Sequence, residues 1–227
     1  ARKLCAKGFL SATGGNLSVR IPGEDAFAIT PSNYDYLKMV KEDICVLGSN
    51  LEVMGGTLIP SVESGMHAAI YRARPDVNAI IHTHQVYPST LALISKPIPA
   101  LFDEQVRFLG RSVEIIPYAP SGSGELAETV AGHVKNGDNA FIMANHGALL
   151  FGTDMERAVH NVAVLEKCAA RFRGLDGLQP RPAGPRGANP HLRAHRLALR
   201  ADDGALLRRV PAPGRQERRD RGVGSTD

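Results

Sequence analysis

Tryptophan is absent from the 227 residues, aromatics make up 5%, and cysteine occurs only three times. Cys5, Cys45 and Cys168 are odd in number, far apart and free of any CxxC spacing. That pattern excludes a disulfide framework and fits a reducing compartment. No run approaches 18 consecutive apolar residues, so a membrane-spanning helix is excluded. The basic start Ala1–Ala6 lacks the long apolar stretch of a secretory signal. A cytoplasmic protein with no membrane partner is the expectation. What remains, 43% hydrophobic and 22% charged residues, is the composition of a soluble domain with a sizeable core.

Charge is unevenly spread. Residues 1–174 hold 16 basic and 17 acidic side chains, whereas residues 175–227 hold 11 arginines, no lysine and 6 acidic residues. The net charge of +4 therefore belongs to the tail, and the first 174 residues are close to neutral. The tail is rich in Arg, Pro and Gly and keeps no regular amphipathic period outside Leu192 to Leu207. It reads as disordered or atypical. No aromatics interleave its arginines for base stacking, so no nucleic-acid partner is expected. Two regions follow: a domain over 1–174 and an extension over 175–227.

Within the first region α and β signals alternate. Short strands are expected at 19–21, 26–30, 43–47, 77–82, 113–116 and 140–144. Helices are expected at 64–73, 84–95, 123–134 and 154–173, with Ser123 as an N-cap. Alternation alone suggests a parallel, doubly wound sheet.

The chemistry concentrates at the strand ends. His82-Thr83-His84 closes an apolar run, and residues two apart on a strand share a face. His146 stands in Asn145-His146-Gly147, again where an apolar run ends, and Glu63 directly precedes a helix. Three imidazoles with an open fourth position would suit a catalytic metal, and a nearby carboxylate could serve as acid and base. On spacing alone the alternative stays open that His82 and His146 are core histidines and His84 a surface residue. Three loops, Thr13-Gly14-Gly15-Asn16-Leu17-Ser18, Thr30-Pro31-Ser32-Asn33 and Pro60-Ser61, carry exposed NH groups and short polar side chains of the kind that hold an anion.

Taken in order, Gly-Gly-Asn-Leu-Ser, Thr-Pro-Ser, Pro-Ser-x-Glu, His-x-His and Asn-His-Gly resemble the class II aldolase/adducin family over about residues 3–173. The family's N-terminal helix is expected to be represented here only by its end. The resemblance implies a three-layer α/β/α domain with a central, mostly antiparallel sheet, in place of the parallel one. It implies that His82, His84 and His146 hold a divalent metal, usually Zn2+, which Glu63 also touches while serving as acid/base. It implies a phosphate pocket from Gly15, Asn16, Ser32, Asn33 and Ser61. Tyr118 would act at the site of a neighbouring subunit in a homotetramer. Two positions depart from the pattern: Val62 stands where a second serine is common, and Asn33 where glycine is usual.

The implied reaction is retro-aldol cleavage of a ketose 1-phosphate to dihydroxyacetone phosphate and an aldehyde. Decarboxylation of an oxo-tetronate phosphate, dehydration of methylthioribulose phosphate, 4-epimerisation of ribulose phosphate and a non-enzymatic, adducin-like interaction module are the alternatives. None of the seven lysines lies in these motifs, so a Schiff base is not called for.

Overall fold

In the computed structural model, residues 1–11 and 13–175 are described. Of the expected tail, Leu175 ends the last helix, and residues 176–227 fall outside the described residues. Eight strands form one sheet in the order β4-β3-β2-β1-β5-β8-β7-β6. They are β1 (Asn16–Arg20), β2 (Ala26–Ile29), β3 (Cys45–Gly48), β4 (Val53–Gly55), β5 (Ala79–Thr83), β6 (Glu114–Ile116), β7 (Ala140–Met143) and β8 (Gly147–Gly152). Every pairing is antiparallel except β6 with β7. The alternation of helices and strands does not make the sheet parallel, because β7 turns straight back into β8 and β1 into β2 without a crossover helix.

Helices cover both faces. On one side lie α2 (Ser64–Ala73) and α5 (Gly124–His133); on the other lie α3 (Val86–Leu93), α4 (Asp103–Phe108) and α6 (Met155–Leu175), with the short α1 (Arg2–Ala6). Period-two alternation divides the sheet's side chains between two cores. Ile81, Ala140, Ile142, Ala148 and Leu150 face α6, while Ile80, Phe141, Met143, Leu149 and Phe151 face α2 and α5. This is the three-layer α/β/α arrangement with a mostly antiparallel sheet.

Local signals explain several boundaries. Ser123 caps α5 by accepting the Leu126 NH at 3.0 Å, as its position before Gly-Glu-Leu suggests. Arg74, buried just past α2, closes that helix end: its guanidinium donates to Asp76 in two bonds of 2.8 and 2.7 Å and to carbonyls of Val134 and Asp138. Central strands β5 and β8 are buried along their whole length, which is why neither shows polar alternation in sequence.

Candidate active site

The site lies at one end of the central strands. Asn16 opens β1 and pairs in register with His82 of β5, which in turn faces Leu149 of β8. His84 follows one residue after β5. His146 sits in the tight connection from β7 to β8, where Asn145 takes a left-handed conformation at φ 55° and Gly147 begins the returning strand. The short polar side chain makes Asn one of the few residues that accept that conformation.

Gly147 is needed for space. A Cβ there would run into the Thr83 carbonyl and come 2.8 Å from His84 Cδ2 and 3.0 Å from His82 Cε1. Gly147→Ala should therefore spread β5 from β8 and separate the two rings. We expect a loss of stability of about 1–3 kcal/mol, as for overpacking elsewhere, together with lost metal retention. Urea unfolding and metal analysis of the dialysed variant check both.

The three rings converge. One nitrogen from each of His82, His84 and His146 lies within 4.8 Å of the others, and the His82 and His84 Nε2 atoms are 2.9 Å apart. His82 is fully buried, and its Nδ1 is 3.0 Å from the Ala148 carbonyl. A carbonyl can only accept, so Nδ1 carries the proton and Nε2 offers its lone pair to the cluster. Burial pushes the His82 ring down to about 3, against the pull of Glu63, and also lowers His84. At neutral pH both rings are uncharged, the form that binds a metal. The donor set, three imidazoles facing one point with the His82 ring fixed from behind by the Ala148 carbonyl, fits a divalent ion with an open position.

Glu63, the residue before α2, is 4% exposed. One carboxylate oxygen is 3.4 Å from His82 Nε2 and the other 3.1 Å from His146 Nε2. Asn16 Nδ2 donates to the first oxygen and Ser121 Oγ to the second, each at 2.7 Å. Burial opposes its charge, yet the facing His82 and His146 rings and the bond from Asn16 hold the carboxyl well below the usual carboxylate range.

The expected anion-binding loops come together beside it. Ser32 NH bonds the Ile59 carbonyl at 2.8 Å, and Ser61 NH bonds that of Thr30 at 3.2 Å. Pro31 and Pro60 form an isolated bridge between the two loops. Thr30 NH bonds the Leu17 carbonyl, which ties both loops to β1. Asn33 takes φ 52°, the left-handed conformation that glycine would otherwise supply. Gly15 has φ 80° and packs so closely on β5 that a Cβ would lie 2.5 Å from the His82 carbonyl. Tyr118 lies half-buried in the loop after β6, three residues before Ser121.

Three contributors went unremarked in the sequence. Ser121 reaches Glu63 from the loop before α5, and no local motif marks it. Tyr36, pushed up to about 12 mainly by burial, donates to the Gly15 carbonyl at 2.5 Å and pins the glycine loop. His67 is fully buried one helical turn after Glu63, so the i, i+4 spacing could have revealed it.

His67 also makes the fold acid-sensitive. Burial, against the pull of Glu63, pushes its ring from 6.5 down to about 4. The unfolded chain takes up this proton below about pH 6.5, whereas the folded protein resists until about pH 4. Stability is thus full above pH 6.5 and falls as pH drops through that window, by about 3 kcal/mol in all. Urea midpoints measured from pH 7 to pH 4 should show this step, and His67→Gln should lack it.

Comparison with known proteins agrees with the geometry. The family model described as Class II Aldolase and Adducin N-terminal domain matches residues 1–172. A 5-deoxy-D-ribulose 1-phosphate aldolase from Bacillus thuringiensis is 32% identical over 169 residues, covering 74% of this chain and 78% of the relative. An L-fuculose phosphate aldolase from Escherichia coli K12 is 35% identical over 161 residues, covering 70% and 73%. A solved L-fuculose 1-phosphate aldolase superposes with a TM-score of 0.74 at 31% identity, covering 88% of this chain and 92% of that one.

Proposed function

The chain belongs to the class II aldolase and adducin family, and from that premise we propose that it is a metal-dependent aldehyde-lyase. Its reaction would be retro-aldol cleavage of a ketose 1-phosphate to dihydroxyacetone phosphate and an aldehyde, as the names of its relatives suggest. The observation that carries this reading is the meeting of one buried carboxylate, Glu63, with three convergent imidazoles.

His82, His84 and His146 would hold the metal, with Zn2+ the ion best suited to three imidazoles and an open position. When bound, the metal supplies Lewis-acid polarisation of the substrate carbonyl and stabilises the charge that develops as the C3–C4 bond breaks. Backbone NH groups at Gly15 and Asn33, with the side chains of Asn16, Ser32 and Ser61, would bind the phosphate and so register the reacting carbons against the site. Val62 removes one hydroxyl from that pocket, so the NH groups carry more of the binding.

Glu63 moves the proton at C3. As a carboxylate it removes that proton from dihydroxyacetone phosphate in the condensation direction and returns it in cleavage. Its two hydrogen bonds, from Asn16 and Ser121, hold both oxygens in place while it does so. Tyr118, reaching the site of a neighbouring subunit in a homotetramer, would exchange the proton at the aldehyde oxygen.

The substrate is tested with the Zn2+-loaded protein and two candidates, L-fuculose 1-phosphate and 5-deoxy-D-ribulose 1-phosphate. Release of dihydroxyacetone phosphate is read by a coupled NADH assay. Turnover of either supports the reading. Turnover of neither, together with release of carbon dioxide from an oxo-tetronate phosphate, would replace it with a decarboxylase.

A further inference from the structure

Helix α2 and strand β1 share a polar seam that runs away from the reacting site. Glu63, His67 and Tyr71 recur every four residues along one face of the helix, and Asn16, Ser18 and Arg20 every two along one face of the strand. Four helical residues rise about 6 Å and two strand residues about 6.6 Å, so the two series stay in step for three rungs. The bonds follow that match. Asn16 Nδ2 lies 2.7 Å from Glu63 Oε2 and Asn16 Oδ1 lies 2.5 Å from His67 Nε2. Ser18 Oγ lies 2.6 Å from His67 Nδ1 and 2.8 Å from the Tyr71 hydroxyl. Arg20 ends the seam, its guanidinium 4.6 Å from the Tyr71 ring centre and donating to the Tyr71 carbonyl at 3.0 Å.

The direction of every bond in this seam follows from its active-site end. An ionised Glu63 can only accept, so Asn16 must turn its amide nitrogen to it and its carbonyl oxygen to His67. His67 must then donate from Nε2. A neutral ring has one proton, so Nδ1 accepts from Ser18, and Ser18 in turn accepts from Tyr71. Asn16, Ser18 and His67 are each no more than 5% exposed, so water does not compete for these bonds. An amide held from one side only could rotate and present its oxygen to the carboxylate; held from both sides, it cannot.

We propose that His67 is a positioning residue for Glu63, acting through Asn16. It locks the Asn16 amide with its nitrogen toward the carboxylate and so fixes the orientation from which Glu63 reaches C3. The role rests on Glu63 being the acid/base of the proposed reaction, but the bond directions do not.

The test has two arms. In metal-free protein at pH 7, 15N-detected histidine NMR should show His67 as the neutral Nε2–H tautomer. A neutral Nδ1–H tautomer overturns the proposal, whatever the activity. With Zn2+ bound, C3 proton exchange in dihydroxyacetone phosphate is compared among variants. His67→Leu should lower the maximal rate by about 10- to 100-fold, a range seen when residues that orient a metal site are removed, with KM changed less than about threefold. His67→Gln keeps an amide donor near the Nε2 position and should recover most of that rate. In an Asn16→Ala background, His67→Leu should cost nothing further, because its route to Glu63 is gone. Additive losses, or equal losses in the Leu and Gln variants, would overturn the proposal. A wild-type protein that binds Zn2+ but exchanges no proton would instead remove the aldolase reading, leaving the tautomer to decide the bond directions.

Discussion

Glu63→Gln is expected to stop proton exchange at C3 while leaving the fold and the metal in place. The amide has the size of the carboxylate: its single oxygen can accept from Asn16 and its NH2 can donate to the Ser121 hydroxyl, the two groups that hold Glu63 at 2.7 Å. What it cannot do is take up a proton. General bases of this kind contribute about 10²–10⁴-fold, so the exchange rate should fall by about 10³-fold. Metal content should change little, since His82, His84 and His146 remain. One side effect is foreseeable: the new NH2 takes the place of the oxygen that lies 3.1 Å from His146 Nε2, while the oxygen 3.4 Å from His82 Nε2 stays. Because the His82 ring is uncharged at neutral pH, no ion pair to it is broken, and the unfolding midpoint should shift by less than the activity suggests. A variant retaining the wild-type rate would show that another group moves the proton.

His84→Ala should be equally damaging to activity, by a different route. His84 is the exposed member of the trio, one residue past β5. Truncating it leaves no buried void and no unsatisfied core group, so the metal-free protein should unfold near the wild-type midpoint. Bound metal, by contrast, loses one of three imidazoles. Affinity should fall by more than about 100-fold, beyond what outer-shell changes usually cost. Dialysed protein should then carry less than a tenth of the wild-type metal, and its activity should fall in parallel. Normal metal content in this variant would mean that the ion sits elsewhere.

Much of this was legible in the chain. His82-Thr83-His84 advertises itself because a strand puts alternate residues on one face, and Asn145-His146-Gly147 because a lone glycine after an apolar run marks a turn. Helix α2 shows its period at Met66, Ala69, Ile70 and Ala73 and was expected over 64–73, where it lies. Strand β8, the sheet's central partner to β5, left no such trace. All six of its residues are buried, so Gly147–Gly152 has no alternation to read. The three-residue β4 and six-residue α4 are too short for periodicity to register.

The site's support was harder to see than the site. Ser121 lies 58 positions from Glu63 and meets it only because α5 packs on α2. The seam from Glu63 to Arg20 was written in two different periods, four on the helix and two on the strand. Neither series is conspicuous until β1 and α2 lie side by side. Antiparallel pairing was likewise a matter of connection: the residues form strands by local preference, and short returns such as Asn145-His146 decide their direction.

The most direct test of the account is proton NMR of dihydroxyacetone phosphate in heavy water with the Zn2+-loaded protein, with and without a chelator. Loss of a single C3 proton signal, abolished by the chelator, is the predicted result, because it requires the metal and the base to act on one carbon together. Bound Zn2+ with both C3 protons retained would contradict it.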